Sequence, residues 1–521
     1  MRSRWGVAML AAGCVWALAE QAPEARRHFD EARHLFEQRQ WDGAQAAATR
    51  ALAADPQMGD AEVLLGLIAT VRSQFADAEK HFARAVKLQP QNDQAYAYLG
   101  STYLQEKRFS EAADAFRKVL ALNPGNVAAN YNLGLIALER NSPEEALRHF
   151  AAVVRARQSD VPGLIGMLES QLLLRQTSVA RETAQKLDGL LEDRDPRLFQ
   201  AAALLAQHDE PDAAIPMMER ARKAFPQSYD VNYNLALACF QTGKYDRAAE
   251  VLGPFALTRE KAEAVNLLGA IEEKRGHVAD AEHAFEQAAR LEPANEDYRF
   301  DYGNSLVQHG KNQPAVAFFR GAAADLTRSW KLRVGLGAAC YLAGDYENAA
   351  EALLEAVRLK PDLQVGYFLL GEAYDSSAHL QPAILAALAA YLKTAPRDPW
   401  AYYHYGSILY ARAQQEGKDD YQVPVANLNQ ALRLDPKFAE AYLELGIIAL
   451  DRGQTEQSIR TLEKAVSLDP RLAAARYRLG LAYQRSGNAA RAKEELDRFR
   501  ALKDEERYRG RVLESLASMG R

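Results

Sequence analysis

The feature that most constrains this chain is a sequence pattern that returns every 34 residues. Residues 93–126, DQAYAYLGSTYLQEKRFSEAADAFRKVLALNPGN, are its clearest copy, with two short amphipathic segments on either side of a turn at 107–110. Repetition at this period favours stacked supersecondary units over several independent globular domains. We count fourteen copies, which start at residues 25, 59, 93, 127, 161, 195, 229, 262, 296, 330, 364, 399, 439 and 473 and end near residue 506.

The periodicity within each copy is that of a helix pair. Places four, seven, eight and eleven of a copy lie on one face of its first helix, and place eight is usually glycine, as at Gly100. Glycine inside a helix costs about 1 kcal/mol relative to alanine, so its recurrence indicates a close helix crossing. We expect the alanine at place twenty, Ala112 here, to form the other half of this contact, while Phe116 at place twenty-four supplies bulk. Proline then ends the second helix, as Pro124 does, because it cannot continue helical hydrogen bonding.

With these residues at these offsets, the unit resembles the tetratricopeptide repeat, from residue 25 to about residue 506. The resemblance implies an all-α fold, a right-handed superhelical solenoid of stacked helix–turn–helix repeats whose first helices line the concave side. Some members of the family grip a C-terminal carboxylate with a clamp that begins with lysine at place five. No copy here has lysine at that place, so this kind of clamp is not expected.

The N-terminal residues differ from the repeats and predict export. Arg2 and Arg4 precede an apolar run that ends in small residues at 17–19, which is typical of a secretory signal peptide over residues 1–19. Residues 20–24 would then be a short linker. Two alternatives stay open: an uncleaved membrane anchor, and a lipoprotein signal that ends at Cys14. We therefore expect an exported protein, periplasmic or envelope-associated or else secreted, which contacts a membrane only if Cys14 is lipidated or the signal is retained.

Two copies break the pattern, and the end of the chain needs a cap. The copy at 161–194 has methionine and leucine where leucine and glycine belong, so it is either a hinge between two blocks or, as we favour, a drifted repeat that still packs. The insertion near 414–424 should lengthen a turn, as a binding loop or as a tolerated, solvated one. We expect residues 507–521 to form a C-terminal capping helix that covers the apolar face of the last repeat.

The sequence offers no recognisable chemistry. Net charge is −5 with acids and bases interleaved, which does not favour nucleic acid as a partner. Phosphate-loop, HExxH and CxxC motifs are absent from the sequence. His277 and His283 lack a third ligand at usable spacing, so we interpret them as surface residues. Cys239 and Cys340 fall at core-facing places and are expected to stay unpaired. We therefore predict no catalytic residue, no metal site and no cofactor.

The candidate functional surface is the concave side of the first helices, where place five is often aromatic. Tyrosine and phenylalanine bury large areas at low entropic cost, so such a groove suits an extended peptide or an amphipathic helix. The predicted function is a non-enzymatic scaffold for protein or peptide partners; the alternative is a membrane-associated accessory subunit of an envelope export, polysaccharide-secretion or outer-membrane assembly machine. The candidate groove residues are Phe29, Tyr131, Asn132, Phe199, Tyr233, Asn234, Phe300, Phe368, Tyr403 and Tyr477.

Overall fold

The computed structural model of the protein describes residues 23–259 and 261–502, together with Leu513, Glu514, Leu516 and Met519. The signal peptide predicted at 1–19 and the first residues of the linker lie outside the described residues. Over the described ranges the regular structure is helical throughout, in 28 α-helices. None of these helices is both long and apolar enough to cross a membrane. The chain divides between Thr242 and Gly243 into two compact units, which are described separately.

The first unit contains thirteen helices. They are α1 (Pro23–Glu37), α2 (Trp41–Ala54), α3 (Gly59–Val71), α4 (Phe75–Leu88), α5 (Asp93–Gln105), α6 (Phe109–Leu122), α7 (Val127–Glu139), α8 (Pro143–Ala156), α9 (Val161–Leu173), α10 (Thr177–Leu190), α11 (Pro196–Gln207), α12 (Pro211–Ala224) and α13 (Tyr229–Gln241).

The second unit contains the remaining helices of the described ranges and one short 3₁₀ turn (Tyr374–Ser376) after α21. They are α14 (Tyr245–Arg259), α15 (Ala262–Arg275), α16 (Val278–Leu291), α17 (Glu296–Gln308), α18 (Asn312–Asp325), α19 (Trp330–Leu342), α20 (Tyr346–Leu359), α21 (Gln364–Ala373), α22 (Gln381–Thr394), α23 (Pro399–Gln415), α24 (Gln422–Leu434), α25 (Ala439–Asp451), α26 (Thr455–Leu468), α27 (Ala473–Arg485) and α28 (Ala489–Arg500).

Within each unit the helices pack in sequence order. Each helix contacts the next, and most odd-numbered helices also contact the next odd-numbered one, as α17 does α19 and α21 does α23. The odd-numbered helices are the first helices of the predicted copies and begin within two residues of the predicted starts. The predicted fold class, an all-α solenoid of stacked helix pairs, is confirmed within each unit. We call the surface formed by a unit's odd-numbered helices its inner face.

The glycines at place eight do mark close approaches, but their partner differs from the expected one. A methyl group at Gly66 would lie 2.5 Å from the Phe82 ring, and one at Gly134 would lie 2.7 Å from the Phe150 ring. These phenylalanines occupy place twenty-four of the same copy. The alanine at place twenty is buried, yet it is the aromatic ring that fills the space left by the missing side chain. Glycine is therefore required by the size of the residue at place twenty-four.

The drifted copy at 161–194 packs by exchanging these two sizes. Leu168, at the glycine place, is fully buried, and the place that usually holds phenylalanine has Ala184, which is also buried. The large residue thus lies on the first helix and the small one on the second, the reverse of the copies with glycine and phenylalanine. The boundary between the compact units falls at Thr242 and Gly243 instead. The burial of Leu168 and Ala184 is what a drifted repeat that still packs would show.

The insertion lengthens a helix as well as a turn. Helix α23 has 17 residues, whereas α5 and α7 have 13, and the turn to α24 follows it. Tyr421, at the end of that turn, is buried with its ring 5.1 Å from the ring of Tyr410. Gln414 Nε2 donates to Asp451 Oδ2 of α25 at 2.6 Å. Residues 414–420 are exposed, as expected of a solvated loop, whereas Tyr421 and Pro424 at its end are buried against the repeats.

The described residues of the predicted C-terminal cap lie elsewhere than expected. Leu516 is fully buried in a core formed by helices α17 to α23, and Leu513 and Met519 pack against the same core. The core of the last two repeats contains residues of α25 to α28 and none of these three. This segment therefore packs on earlier repeats of the second unit. Burial of Leu516 and partial burial of Leu513 and Met519 stabilise this position.

Candidate functional site

The inner face of the first unit exposes part of several candidate aromatic side chains. Tyr131, Phe199 and Tyr233 are each partly exposed. The Tyr131 ring contacts Phe150 edge-on at 5.8 Å between centroids, and Tyr233 stacks on Tyr229 at 5.7 Å. The rings of Tyr131 and Tyr233 are thus each held by a neighbouring ring, while part of each side chain stays exposed. Such preorganised aromatic side chains lose little entropy on binding.

The two candidate asparagines are already engaged through their amide nitrogens. Asn132 Nδ2 donates to the Ala128 carbonyl at 3.0 Å, and Asn234 Nδ2 donates to the Asp230 carbonyl at 2.8 Å. Both bonds run one turn back along the same helix. These amides are oriented by local contacts and are partly exposed on the inner face, each beside a tyrosine at the preceding place.

Two candidate residues are placed in the core instead of on a surface. Phe29 is 1% exposed and Phe300 is 0% exposed. Phe300 packs beside Phe319 at 6.0 Å between ring centroids. The Lys331 ammonium lies 4.9 Å from the centroid of the Phe300 ring. Aromatic residues at place five pack between neighbouring repeats wherever the adjoining side chains cover them. Phe29 and Phe300 are therefore packing residues, which corrects their assignment to the groove.

In the second unit, Phe368 and Tyr403 belong to an aromatic cluster on the inner face. Trp400 lies 5.1 Å from Phe368, 5.8 Å from Tyr403 and 4.5 Å from Phe438, all edge-on. The cluster joins three consecutive odd-numbered helices or the turn before them. Tyr477, further along the chain, is 40% exposed and contacts Phe499 at 5.3 Å. These rings form an apolar surface that crosses repeat boundaries.

A polar cluster on the same face was not found from the sequence. Asn266 Nδ2 of α15 donates to Asp301 Oδ2 of α17 at 2.9 Å, and Lys331 Nζ of α19 pairs with Asp297 of α17 at 2.6 Å. Burial raises the pKa of Asp301 to about 6, and the hydrogen bond from Asn266 opposes that rise. The four residues come from three successive copies. The sequence gives only an indirect signal for this cluster. Aligning the copies by place number can suggest that polar residues on neighbouring first helices face one another.

A second carboxyl group on this face also has a raised pKa. Glu444 of α25 occupies place six, as Asp301 does in its own copy. Burial raises the pKa of Glu444 to about 7, and the charge of Arg478 on the next odd-numbered helix opposes the rise. The inner face of the second unit is therefore polar and titratable at some repeats and aromatic at others.

One further cluster lies around a cavity of about 460 Å³ lined by α14, α15 and α16. A carboxylate oxygen of Glu272, a ring nitrogen of His277 and a carboxylate oxygen of Asp280 lie within 4.8 Å of one another. Arg275 donates to both Glu272 oxygens, at 2.8 and 2.9 Å, and to Asp246 at 2.9 Å. The guanidinium already neutralises Glu272, so the cluster is explained as an ion-pair network. Both histidines considered from sequence, His277 and the cavity-lining His283, are exposed.

Comparison with protein families gives one consistent result. Family models described as tetratricopeptide repeat match residues 29–93, 71–127, 98–161, 199–252, 266–328, 331–363, 427–460 and 474–502, and one described as TPR repeat matches 448–487. Together these ranges cover more than half of the chain. The stretch 162–198, which holds the drifted copy, and the stretch 364–426, which holds the insertion, fall outside them.

Solved structures resemble the chain only distantly. PilF of Pseudomonas aeruginosa is 18% identical with a TM-score of 0.34, over 40% of this chain and 95% of that one. Yeast Tom70 is 13% identical with a TM-score of 0.34, over 95% and 96%. YrrB, described as a TPR protein with an unusual peptide-binding site, is 17% identical with a TM-score of 0.32, over 36% and 95%. Such scores carry no functional inference, and no curated protein sequence matches significantly.

Proposed function

Because the chain belongs to the tetratricopeptide repeat family, we propose that it is a non-enzymatic scaffold that binds protein or peptide partners on the inner faces of its helix pairs. Repeat families of this kind use stacked helices as extended binding surfaces. Nucleic acid is not among the proposed partners, because the net charge of −5 is spread over interleaved acids and bases.

The observation that carries this proposal is a set of partly exposed aromatic side chains on several odd-numbered helices of each unit. The first unit contributes Tyr131, Phe199 and Tyr233, and the second contributes Phe368 and Tyr403. Each buried Å² of apolar surface contributes about 25 cal/mol before the costs of association, so a few such rings can anchor a partner. The polar groups between them would set the register and specificity of the bound segment.

The proposed location is the bacterial envelope, in the periplasm or at a membrane face. Arg2, Arg4 and the apolar residues up to position 19 support export through a signal peptide. The N-terminal residue of the mature protein, determined by mass spectrometry, tests this. A start at Glu20 agrees with cleavage of a secretory signal, whereas a retained Met1 contradicts it.

A second candidate function is favoured by Cys14. If that residue is lipidated, the scaffold would be held at a membrane as an accessory subunit of an export, polysaccharide-secretion or outer-membrane assembly machine. The same mass spectrum decides between the two functions. A lipid-modified N-terminal Cys14 supports the accessory subunit, and an unmodified start at Glu20 removes it.

The scaffold itself is tested by crosslinking and capture from native cell envelopes. We expect Tyr131→Ala combined with Tyr233→Ala to weaken capture of a partner at least tenfold, because two hot-spot aromatic side chains are removed. The control is Phe225→Ala, at the end of the even-numbered helix α12, whose side chain is 38% exposed. Circular dichroism checks that all variants stay helical. Undiminished capture by the double variant would contradict binding at this inner face.

A further inference from the structure

The C-terminal residues present an apolar stripe to the repeats of the second unit. Leu513, Leu516 and Met519 are spaced by three residues, which places them on one side of a helix. Leu516 is fully buried, Leu513 and Met519 are partly buried against the same core, and Glu514 between them is exposed. Leu513, Glu514 and Leu516 are helical, and this division into a buried and an exposed side is typical of an amphipathic helix on a surface.

A backbone contact fixes the position of this segment. Gln308 Nε2, at the end of α17, donates to the Leu513 carbonyl oxygen at 3.2 Å. The same amide nitrogen lies 3.5 Å from Asn304 Oδ1, one turn earlier. Asn304 occupies place nine of its copy, one turn after place five on the same side of the first helix. Because Gln308 bonds to main chain, it can hold any segment of suitable backbone geometry, and the leucines and methionine then provide specificity.

The burial of Leu516 shows that the surface under the segment is an apolar acceptor. The core that receives it contains Leu306, Val307 and Ala339 among other side chains of α17 to α23. A helix this short is marginal on its own in water, so its order depends on the surface. Removing the segment would expose the part of this core that Leu516 now covers.

We propose that this surface of the second unit is a binding site for an amphipathic helix of a partner protein with leucine at positions i and i+3 and methionine or leucine at i+6, and that the chain's own Leu513, Leu516 and Met519 occupy it until such a helix displaces them. The proposal deepens the scaffold function and rests on it, since it names the partner's chemistry and its regulation at one part of the inner face. A tethered segment has an effective concentration of about 1 mM, so the closed state prevails unless the partner binds more tightly.

The test uses the full chain and a labelled synthetic peptide of residues 507–521, followed by fluorescence anisotropy. Leu516→Glu in the protein should release its own segment, and the peptide should then bind at least tenfold more tightly than it does to the wild-type protein, because fully burying a leucine is worth about that factor or more. Glu514→Ala, on the exposed side of the same segment, is the matched control and should behave as wild type. A peptide carrying Leu516→Glu should not bind any of the three proteins.

Equal peptide binding by the wild-type and Leu516→Glu proteins, with unchanged melting curves, would overturn the proposal. Because Leu516 lies outside the helix pairs, its substitution leaves the repeats to fold as before. Light scattering supplies a second measurement. A wild-type dimer that Leu516→Glu converts to a monomer would overturn the intramolecular arrangement by assigning the segment to a second copy, whereas a monomer in both proteins agrees with it.

Failure here is distinguishable from failure of the scaffold function. The scaffold is tested by Tyr131 and Tyr233 in the first unit, and the displaced helix is tested by Leu516 in the second. If the tyrosine variant loses capture while peptide binding is unaltered in Leu516→Glu, the scaffold function is supported and the helix-binding site is contradicted. The reverse result would support the helix-binding site and contradict partner binding at the inner face of the first unit.

Discussion

At the scale of single residues, the packing of a helix pair depends on the combined size of two places. Gly100 lies against the Phe116 ring, with 3.0 Å between a methyl group placed at the glycine and the ring carbon Cζ. In the drifted copy the large residue is Leu168 and the small one is Ala184, both buried. The sequence showed that glycine recurs, but it assigned the contact to the wrong partner place, because side-chain direction between helices is not visible in a periodic pattern.

The first prediction concerns variants that exchange the large and small residues at Gly100 and Phe116 in the clearest copy. Gly100→Leu should destabilise the protein by about 1–3 kcal/mol through overpacking, and Phe116→Ala by about 3–5 kcal/mol through a cavity. The double variant should be less destabilised than the sum of the two, because it recreates the natural pairing of Leu168 with Ala184. Urea unfolding of all four proteins measures the cycle. Additive losses would mean that the two places do not share one space.

The second prediction concerns the pH dependence at Asp301. Its folded-state pKa of about 6 lies above the ordinary value of 3.8, so the folded state favours the protonated acid. The contribution of this group to stability is fully present below about pH 4 and is lost as pH rises through about 6. Asp301→Asn removes the ionisable group and should raise stability at pH 8 by about 1–3 kcal/mol relative to wild type.

The measurement for Asp301 is chemical unfolding at pH 4 and at pH 8. The advantage of Asp301→Asn should be smaller at pH 4, where wild-type Asp301 is protonated. Asp419→Asn, at an exposed place in the turn after α23, is the control and should show no such difference. An advantage that is equal at both pH values would exclude burial of Asp301 as the cause.

At the scale of elements, the turn between the two helices of a copy imposes one backbone conformation. Place fifteen has a positive φ, +80° at Gly344 and 59° at Lys107. Glycine adopts this conformation without strain, and other residues do not. The copies of the first unit have other residues at this place, whereas those of the second unit have glycine wherever the φ is positive there. The residues concerned in the first unit are Arg39, Ser73, Lys107, Asn141, Arg175 and Asp209.

The third prediction follows from this turn. Gly344→Ala should destabilise the protein by about 1 kcal/mol, because alanine is strained at positive φ although no atom lies within 4 Å of the new methyl group. Gly321→Ala, in the middle of α18, meets equally open space without the positive φ. It should instead stabilise by about 0.5–1 kcal/mol. Thermal melting of the two variants compares them, and shifts in the same direction would rule out backbone strain as the cause.

At the scale of the whole molecule, stability is expected to be a sum of local terms. The chain divides into two compact units, and within each unit every helix contacts its neighbours in the chain. In repeat arrays, each unit's stability and its nearest-neighbour contacts add, so a local defect need not unfold the whole chain. This differs from a single globular core, in which one large cavity affects every element.

The fourth prediction applies this to Gly303 in α17, which faces the Phe319 ring. Gly303→Leu should unfold repeats of the second unit first. Fluorescence of Trp330 and Trp400, both in that unit, should then change at lower urea concentration than the far-UV circular dichroism of the whole chain. Coincident transitions would show that the protein unfolds as one cooperative body.

The sequence by itself determined the helix pairs, their order and nearly all their starts, because the 34-residue period and the turn residues act locally and are repeated many times. It also indicated the inner face, since place numbers give the side of a helix. Only the tertiary structure decided which of these side chains are exposed. Phe29 and Phe300 are buried, Asp301 and Lys331 contact residues of adjoining helices, and Leu516 lies in a core that includes residues more than two hundred positions earlier. Such contacts depend on which side chains from different copies pack together. A pattern that repeats within each copy does not determine them.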